Sequence, residues 1–413
     1  MKASKAAIFF GTTLVCTLVL TACGGSGSGS KTSEILLWSS TTGPDGEKIK
    51  KTIDQYNETD PDFKVKLVSM QGDTFTSKLT TAGKSGKGVP DLALVASEAL
   101  PTYKNQDMLD SWDEMIEGTE LARSNYVEAA WDTGTLEDSQ YGIPATMGSW
   151  VMYYNQDLVD KYVPGALDDG IVTYEEINQA GEKAKADGVY SFGYTWGMQN
   201  YSNLYQQMGG QWQDEAGNIN INNDYSYNTV QEFKNLYDAG YMVPDGEDAN
   251  KLFANQQLIF LPEGTWMLSN MEEISDFAWG ETFTPQWDAD NILQGSGVDQ
   301  FAMFKTKEER SEEKQTGMVD FLTWLQANQL EWVKSGANPT SLAMLDNEEY
   351  IEMPQSFLLK TEKGQAAVSV NAVDGLSYIF DEYDNRSWDM ITGKADIQET
   401  FAEIQKVVEE KMK

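Results

Sequence analysis

The stretch from Tyr141 to Asp157 constrains the fold most strongly, because it reads as a β-strand that is interrupted twice. Its sequence, Tyr-Gly-Ile-Pro-Ala-Thr-Met-Gly-Ser-Trp-Val-Met-Tyr-Tyr-Asn-Gln-Asp, is largely apolar apart from the breaks at Pro144 and Gly148. A proline cannot donate a hydrogen bond within a central strand, and a glycine tolerates unusual dihedral angles. We therefore predict that the chain leaves one sheet near 144–148 and enters another at 150–154. The alternative is a single bulged edge strand that contains a proline.

Strands alternate with amphipathic helices over the rest of the chain. The segments 36–38 and 90–95 read as buried strands, and Ile49, Ile53 and Tyr56 mark one apolar helical face between them. Such alternation is typical of an α/β sheet. Because 413 residues are enough for two domains, we predict an α/β protein with two lobes.

The N-terminus has the pattern of a secretory signal. Basic residues at 1–5 precede a mostly apolar run at 8–20, so we predict a signal peptide at 1–22. The segment Leu-Thr-Ala-Cys resembles a bacterial lipoprotein box, which implies that Cys23 is lipidated, with palmitate among the acyl chains. An ordinary secretory signal that ends in Cys is the alternative. The Gly/Ser-rich residues that follow predict a flexible tether at 23–33.

Charge and composition exclude several classes of function. The formal net charge is −35, so no basic surface is available for nucleic acid. Histidine is absent, which removes the commonest general base and a common metal ligand. We predict no nucleic-acid partner, no metal and no cofactor. A lipid anchor is the only membrane contact that we expect.

Several short motifs occur in a characteristic order. They are a Trp near the first strand, Pro-Asp followed by apolar residues at 90–95, Tyr-Gly-Ile-Pro with Tyr-Tyr-Asn-x-Asp at 141–157, Thr-x-Glu-Glu at 173–176, and Gly-x-Trp at 264–266. Together they are similar to the extracellular carbohydrate-binding proteins of ABC importers, the family of maltose-binding protein and the multiple-sugar-binding lipoproteins. The resemblance covers roughly 34–413.

The resemblance implies a two-lobed, type II periplasmic-binding-protein-like fold, in which each lobe is a mostly parallel sheet flanked by helices. Three hinge crossings are expected near 144–148, 288–296 and 337–339. Lobe one would then consist of 34–146 and 296–337, and lobe two of 147–295 and 338–413. A cleft between two such sheets lies at the carboxyl ends of strands, where small ligands bind.

The resemblance also implies a role that is not catalytic. The protein would be a monomer that captures a sugar, expected to be an oligosaccharide, in the cleft between the lobes and delivers it to the transmembrane subunits of an ABC permease. It would be held by its lipid on the outer face of the bacterial cytoplasmic membrane.

The surplus of aromatic residues points to a carbohydrate site, since the chain has 12 Trp, 19 Tyr and 16 Phe. A sugar ring has a face of C–H bonds and a rim of hydroxyls, so its site needs an aromatic platform beside carboxylates and amides. For each Trp taken alone, burial in the core is the alternative. The candidates that fit are Trp150, Trp196, Trp266, Glu98, Asn200 and Asp299.

The family resemblance singles out further positions. Trp266 matches the Gly-x-Trp indole that stacks on sugar in maltose-binding proteins. Gly148 stands where those proteins carry an acidic ligand residue, which argues against maltose itself. The remaining candidates that the resemblance implies are Trp38, Ser40, Ser97 and Glu98 in loops after strands of lobe one, and Tyr378 and Phe380 in the last return segment.

Two other classes of function stay open at this stage. A secreted glycoside hydrolase or lyase would use a carboxylate pair such as Glu263 and Asp299, although 65 acidic residues make some pair inevitable. A binding protein for a non-sugar solute, such as a peptide or a polyamine, is the other. The acidic charge favours a cation, and the aromatic surplus favours a sugar.

Overall fold

The structure is a computed structural model that describes residues 33–413. The predicted signal peptide at 1–22, the lipidation site Cys23 and most of the predicted tether at 23–33 therefore lie outside the described residues.

The strands within 33–413 are short except for two that run through the centre of the sheet. They are β1 (Ser33–Ser39), β2 (Phe63–Ser69), β3 (Leu92–Ala96), β4 (Leu109–Asp110), β5 (Thr135–Leu136), β6 (Ser139–Gln140), β7 (Gly142–Asn155), β8 (Tyr190–Phe192), β9 (Leu258–Gly264), β10 (Trp279–Phe283), β11 (Gln294–Phe304), β12 (Asn338–Pro339) and β13 (Val368–Val370).

Helices connect these strands and cover the sheet. They are α1 (Gly43–Glu58), α2 (Gly72–Ser85), α3 (Leu100–Asn105), α4 (Asp113–Ile116), α5 (Glu128–Asp132), α6 (Gln156–Tyr162), α7 (Tyr174–Ala184), α8 (Gly197–Gln207), α9 (Asp224–Ala239), α10 (Ala249–Ala254), α11 (Leu268–Glu272), α12 (Glu312–Ala327), α13 (Leu330–Val333), α14 (Leu342–Leu345), α15 (Glu348–Ile351), α16 (Phe357–Lys360), α17 (Glu362–Ala367), α18 (Leu376–Asp384), α19 (Ser387–Ile391) and α20 (Ile397–Lys411). Short 3-10 turns lie at Ser97–Ala99, Arg123–Asn125, Lys185–Asp187, Thr265–Met267 and Pro354–Ser356.

The main sheet is mixed, and its strand order is β2-β1-β3-β11-β7-β9-β8. Strands β2, β1 and β3 run parallel, and so do β8 and β9. The two central strands β7 and β11 run antiparallel to each other and to their outer neighbours β9 and β3. The predicted α/β class is confirmed, with parallel strands towards both edges and antiparallel strands where the chain passes through the middle.

The predicted interruption of the crossing stretch is wrong, because β7 is one uninterrupted strand. Its first half pairs with β11, and from Trp150 onwards it pairs with β9 and β10. The change of partners occurs between Ser149 and Trp150, close to the predicted point. Pro144 is accommodated because a bulge places Ala145 and Thr146 opposite the single residue Asp299 of β11.

The other two predicted crossing segments lie beside β7. Strand β11 begins at Gln294, within the predicted crossing near 288–296, and it pairs with β7 along Ser296–Ala302. Strand β12, at the third predicted crossing, pairs Asn338 with Met147. The three segments are therefore hydrogen-bonded neighbours in one sheet, and the residue limits of the two lobes stay a prediction.

The buried apolar residues form separate clusters on either side of this central region. One large cluster is built from β1, α1, β3 and α12, and contains Ile35, Leu92 and Phe321. Another is built from α7, α8, α9, α18 and α20, and contains Phe233 and Phe401. Packing of these clusters supplies the stability of the fold, and the ends of β3 and β9 meet the middle parts of β7 and β11 in the central region.

Two helix starts are capped as local sequence patterns indicate. Thr173 and Glu176 form the reciprocal hydrogen bonds of a capping box at the start of α7. Asp396 caps α20 by accepting from the backbone amide of Glu399 at 3.0 Å. Among the helices of residues 33–413, none has the length and apolar character that crossing a membrane requires.

Candidate functional site

A cavity of about 110 Å³ lies where β3, β7, β9 and β11 end or bend, and we call it the main cavity. A smaller chamber of about 30 Å³, the side cavity, shares Glu98, Trp150 and Gly297 with it. The main cavity is lined by Asp45, Ala96, Glu98, Thr146, Gly148, Trp150, Thr265, Trp266, Gly297, Val298, Asp299 and Ala337. The side cavity is lined in addition by Gln199, Ser202, Gly295, Ser296, Asn371, Leu376 and Phe380.

Three of the predicted tryptophans form one row at this site. Trp150 meets Trp266 edge to face at 5.2 Å between ring centroids, with an interplanar angle of 85°. Trp196 meets Trp266 in the same manner at 5.6 Å and 86°. Trp150 and Trp266 line the main cavity, whereas Trp196 is 48% exposed and continues the row outwards.

Two glycines make room for the indole of Trp266. A Cβ atom on Gly264 would lie 2.1 Å from Cε2 of Trp266, so the ring packs directly on the backbone of β9. A Cβ atom on Gly148 would lie 3.3 Å from Cζ3 of the same ring. A side chain at 148 would therefore press on the indole, which would have to shift by a few tenths of an ångström.

Acidic residues surround the main cavity on its other sides. Glu98 follows β3, Asp299 lies on β11 at the bulge, and Asp45 lies in the first turn of α1. Burial raises the pKa of all three carboxyls. For Asp299 burial is the largest cause, the neighbouring carboxyls of Asp45 and Glu98 add to it, and the pKa reaches about 7. Neither cavity has a Lys or Arg among its described lining residues.

Polar atoms at the main cavity are left without partners. The indole Nε1 of Trp150 and Oδ1 of Asp45 are buried, and neither has a hydrogen-bond partner within residues 33–413. Buried polar groups in native proteins are almost always hydrogen-bonded, so these two atoms are candidates for contacts with a ligand. The cavity thus offers one donor and several acceptors beside an aromatic wall, which suits a molecule with many hydroxyls.

Glu263, one half of the predicted acid pair, is engaged elsewhere. It is 3% exposed and is not among the described residues that line either cavity. Its Oε2 accepts from Nε1 of Trp196 at 2.7 Å and from the backbone amide of Gly264 at 3.1 Å, and its Oε1 accepts from Asn250 at 3.1 Å. Burial raises the pKa of Glu263, and these hydrogen bonds oppose the shift.

Of the predicted residues on and after the N-terminal strands, Glu98 alone is among the described residues that line the site. Ser97 is fully buried, and its hydroxyl has no hydrogen-bond partner among the described residues. Trp38 is half-buried on β1 and packs against the core cluster that contains Phe75. Ser40 is exposed just beyond β1. Trp38, Ser40 and Ser97 are absent from the described lining of both cavities.

Helix α8 contributes to the side cavity through residues other than the predicted one. Asn200 is buried, and its side-chain amide donates to the backbone carbonyl of Trp196 at 3.2 Å. Gln199 and Ser202, three positions apart on one helical face, line the side cavity instead. Gln199 and Ser202 follow Trp196 at intervals of three residues, and this helical spacing is the sequence signal that could have indicated them.

The two predicted residues of the last return segment, Tyr378 and Phe380, lie in different places. Phe380 is buried and lines the side cavity together with Leu376. Tyr378 instead lies outside it, where its hydroxyl accepts a hydrogen bond from Gln106 at 3.1 Å. The main-cavity residues that the sequence did not indicate include Asp45 and Thr146, which reach the cavity through the turn of α1 and the bulge of β7.

Comparison with known families and proteins gives three findings. The model of the family described as bacterial extracellular solute-binding protein matches residues 39–331. The arabinooligosaccharide-binding protein of Bacillus subtilis (strain 168) is 26% identical over 239 residues, which are 56% of this chain. The chain spans about half the length of that relative, 54%. The galactooligosaccharide-binding protein of the same organism is 23% identical over 96% of this chain and 94% of its own length.

Among solved structures, an ABC substrate-binding protein from Listeria monocytogenes in complex with cycloalternan superposes with a TM-score of 0.78 at 18% identity. The superposition covers 92% of this chain and 99% of that one. At this identity the likeness establishes the fold, and it confirms the predicted type II periplasmic-binding-protein fold.

Proposed function

This chain belongs to the bacterial extracellular solute-binding proteins, and we propose that it captures an oligosaccharide in the main cavity and delivers it to an ABC permease. The observation that carries the proposal is the composition of the cavity wall. Trp150 and Trp266 supply an aromatic platform, and Glu98 and Asp299 supply hydrogen-bond acceptors in the same cavity. This is the combination that the C–H face and the hydroxyl rim of a sugar require.

The names of the relatives agree with this ligand class. Two of them are described as binding arabinooligosaccharides and galactooligosaccharides, and a structural neighbour holds cycloalternan. These names concern other proteins, at 26%, 23% and 18% identity. We therefore propose the class, a neutral oligosaccharide, and leave the individual sugar to experiment.

We propose that the protein binds its ligand without chemical change. A hydrolase would need a second carboxyl near Asp299 in a role of acid or base. Glu263, the candidate for that role, has both carboxylate oxygens occupied by three donors. Asp45 and Glu98 share the cavity with Asp299, so recovery of unchanged sugar remains the decisive control.

The acidic wall favours a second candidate, a cationic solute such as a polyamine. Three carboxyls line the main cavity, and no basic residue among its described lining offsets them. A thermal-shift screen of the full chain distinguishes the two candidates. It compares neutral oligosaccharides, oligosaccharides that carry a uronic acid, peptides and polyamines.

We expect a neutral oligosaccharide to stabilise the protein by about 2.7 kcal/mol when it is present at about 100 times its Kd. Uronic acids should bind poorly, because the cavity would repel a further negative charge. Chromatography should then recover the sugar with its length unchanged. Stabilisation by polyamines or peptides alone would overturn the sugar assignment, and shortened sugar would move the protein to the hydrolases.

We also propose that Cys23 carries the lipid that holds the protein on the outer face of the cytoplasmic membrane, where it acts as a monomer. The support is the sequence around Cys23 together with the extracellular family. Cys23→Ala should release the protein from the membrane fraction or leave the signal peptide uncut. Fractionation of the variant with membranes, like the parent, would contradict the anchor.

A further inference from the structure

Glu263 lies near the end of β9, three residues before Trp266, and its buried carboxylate holds the edge of an exposed indole. The indole Nε1 of Trp196 donates to Oε2 of Glu263 at 2.7 Å, which is the shortest of the three hydrogen bonds that this carboxylate accepts. Glu263 is 3% exposed, whereas Trp196 is 48% exposed. A buried acceptor thus reaches a ring that is about half exposed to solvent.

The backbone of Trp196 does not fix this ring by itself. The residue directly precedes α8 with φ −14° and ψ 77°, outside the helical region. Within residues 33–413 the ring has one aromatic neighbour, Trp266, which it meets edge to face. Without the hydrogen bond to Glu263, we expect the indole to populate several rotamers. A ligand would then have to immobilise it, at a cost in affinity.

The position of Trp196 indicates what the fixed ring is for. It continues the row of Trp150 and Trp266 from the main cavity towards solvent. The main cavity is small, about 110 Å³, so a ligand of several rings must extend beyond it. The exposed face of Trp196 lies next along that row.

We infer that Glu263 is a positioning residue that holds Trp196 as the platform for a second sugar ring, so that the site favours ligands of two or more rings. The inference rests on the proposed function, because it names the ligand length that the same site selects. Glu263 acts through Trp196 and does not contact the ligand itself.

The chain offers a close control for this role. Oδ1 of Asn250 is buried without a partner among residues 33–413. In Glu263→Gln, the new amide oxygen can accept from Trp196 and Gly264, and its N–H group can donate to Oδ1 of Asn250 once that amide turns over. Glu263→Ala removes the acceptor altogether, and Trp196→Phe removes the indole N–H while keeping Glu263.

Two measurements on the full chain test the inference. The first is the ¹⁹F NMR spectrum of protein labelled with 5-fluorotryptophan, in which Trp196→Phe identifies the resonance of Trp196 and no ligand is needed. The second is calorimetric titration with a monosaccharide and with longer oligomers of the sugar that the wild type binds.

We expect Glu263→Ala to broaden or move the Trp196 resonance and to weaken the longer oligomers about tenfold, while the monosaccharide affinity stays unchanged. Glu263→Gln should keep both the resonance and the preference for longer ligands. Trp196→Phe should show the same length-selective loss, which keeps the test valid if Glu263→Ala does not fold.

An unchanged resonance in Glu263→Ala, or equal weakening of short and long ligands, would overturn the inference. Wild-type affinities for all lengths in Trp196→Phe would also overturn it. If the wild type binds no oligosaccharide at all, the proposed function fails, and with it the length preference. The NMR comparison would still decide separately whether Glu263 holds Trp196.

Discussion

The side-chain amide of Asn105 donates a hydrogen bond to Oδ2 of Asp374 at 2.7 Å, although 269 residues separate the two in sequence. Thr102 donates to the other carboxylate oxygen at 3.2 Å, and Gln106 donates to the hydroxyl of Tyr378 at 3.1 Å. These contacts join α3 to the segment that leads into α18, beside the two cavities. In the predicted division of the chain, they connect lobe one with lobe two.

The hydrogen bonds of Asp374 predict that this residue stabilises the arrangement in which the two predicted lobes are closed around the ligand. Asp374→Ala should weaken ligand binding about three- to tenfold, because two partly exposed hydrogen bonds to a carboxylate are lost. It should also reduce the fall in radius of gyration that the ligand causes in solution scattering. Asp276→Ala, which removes the same charge from an exposed position, is the matched control. If Asp374→Ala keeps the ligand affinity and the ligand-induced fall in radius of gyration of the wild type, this role of Asp374 is refuted.

The raised pKa of Asp299 predicts a dependence of stability on pH. Its pKa is about 7 in the folded protein and about 3.8 in its unperturbed state, so the folded protein binds more protons between these values. The stability that this proton contributes is fully present below about pH 3.8 and is lost as pH rises through 7. Asp299→Asn should therefore gain melting temperature relative to the wild type from pH 4 to 7, and the gain should level off above that.

The control for Asp299→Asn is Asp276→Asn, since the large negative charge of the chain also makes stability depend on pH. Differential scanning fluorimetry of the three proteins without ligand supplies the comparison. A constant difference between Asp299→Asn and the wild type across this range would show that Asp299 titrates normally.

The packing of Trp266 on Gly148 predicts that this glycine is needed for binding. Gly148→Asp should displace the indole and weaken ligand binding about 5- to 150-fold, because overpacking costs about 1–3 kcal/mol. Gly72→Asp is the control, since Gly72 is exposed, its Cβ would meet nothing within 4 Å, and it is not among the described residues that line either cavity. We expect titration calorimetry to show near wild-type affinity for Gly72→Asp. Equal affinities for both variants would mean that Trp266 does not depend on Gly148.

The parts of the fold that rest on local chemistry could be predicted from the sequence. The capping box at Thr173 and Glu176 and the cap at Asp396 involve residues within three positions of each other. The change of strand partners between Ser149 and Trp150 could also be predicted from residues of the same stretch. The expected interruption of the strand was wrong because a bulge accommodates Pro144, and a bulge depends on the register of a strand that is distant in sequence.

The same distinction between contacts that are local in sequence and contacts that are distant applies to the site residues. Trp266 follows from Gly-x-Trp, because the glycine that its ring packs on is two positions away. Asn200 lies one position away from the face of α8 that lines the side cavity. The sequence does not indicate the correct face, because it depends on the residue at which α8 begins. The engagement of Glu263 by Trp196 and the contacts of Asp374 join residues far apart in sequence, and no local pattern indicates them.

The central claim, that an oligosaccharide binds against the indole of Trp266, is tested most directly by calorimetric titration of the wild type and Trp266→Ala with one neutral oligosaccharide. We predict saturable binding at one site in the wild type. In Trp266→Ala we predict a loss of about 1–3 kcal/mol of binding free energy, with only a small change in melting temperature without ligand, because the ring is only partly buried. Normal affinity in Trp266→Ala, together with a steep fall in its melting temperature, would contradict the claim and assign the indole to the core.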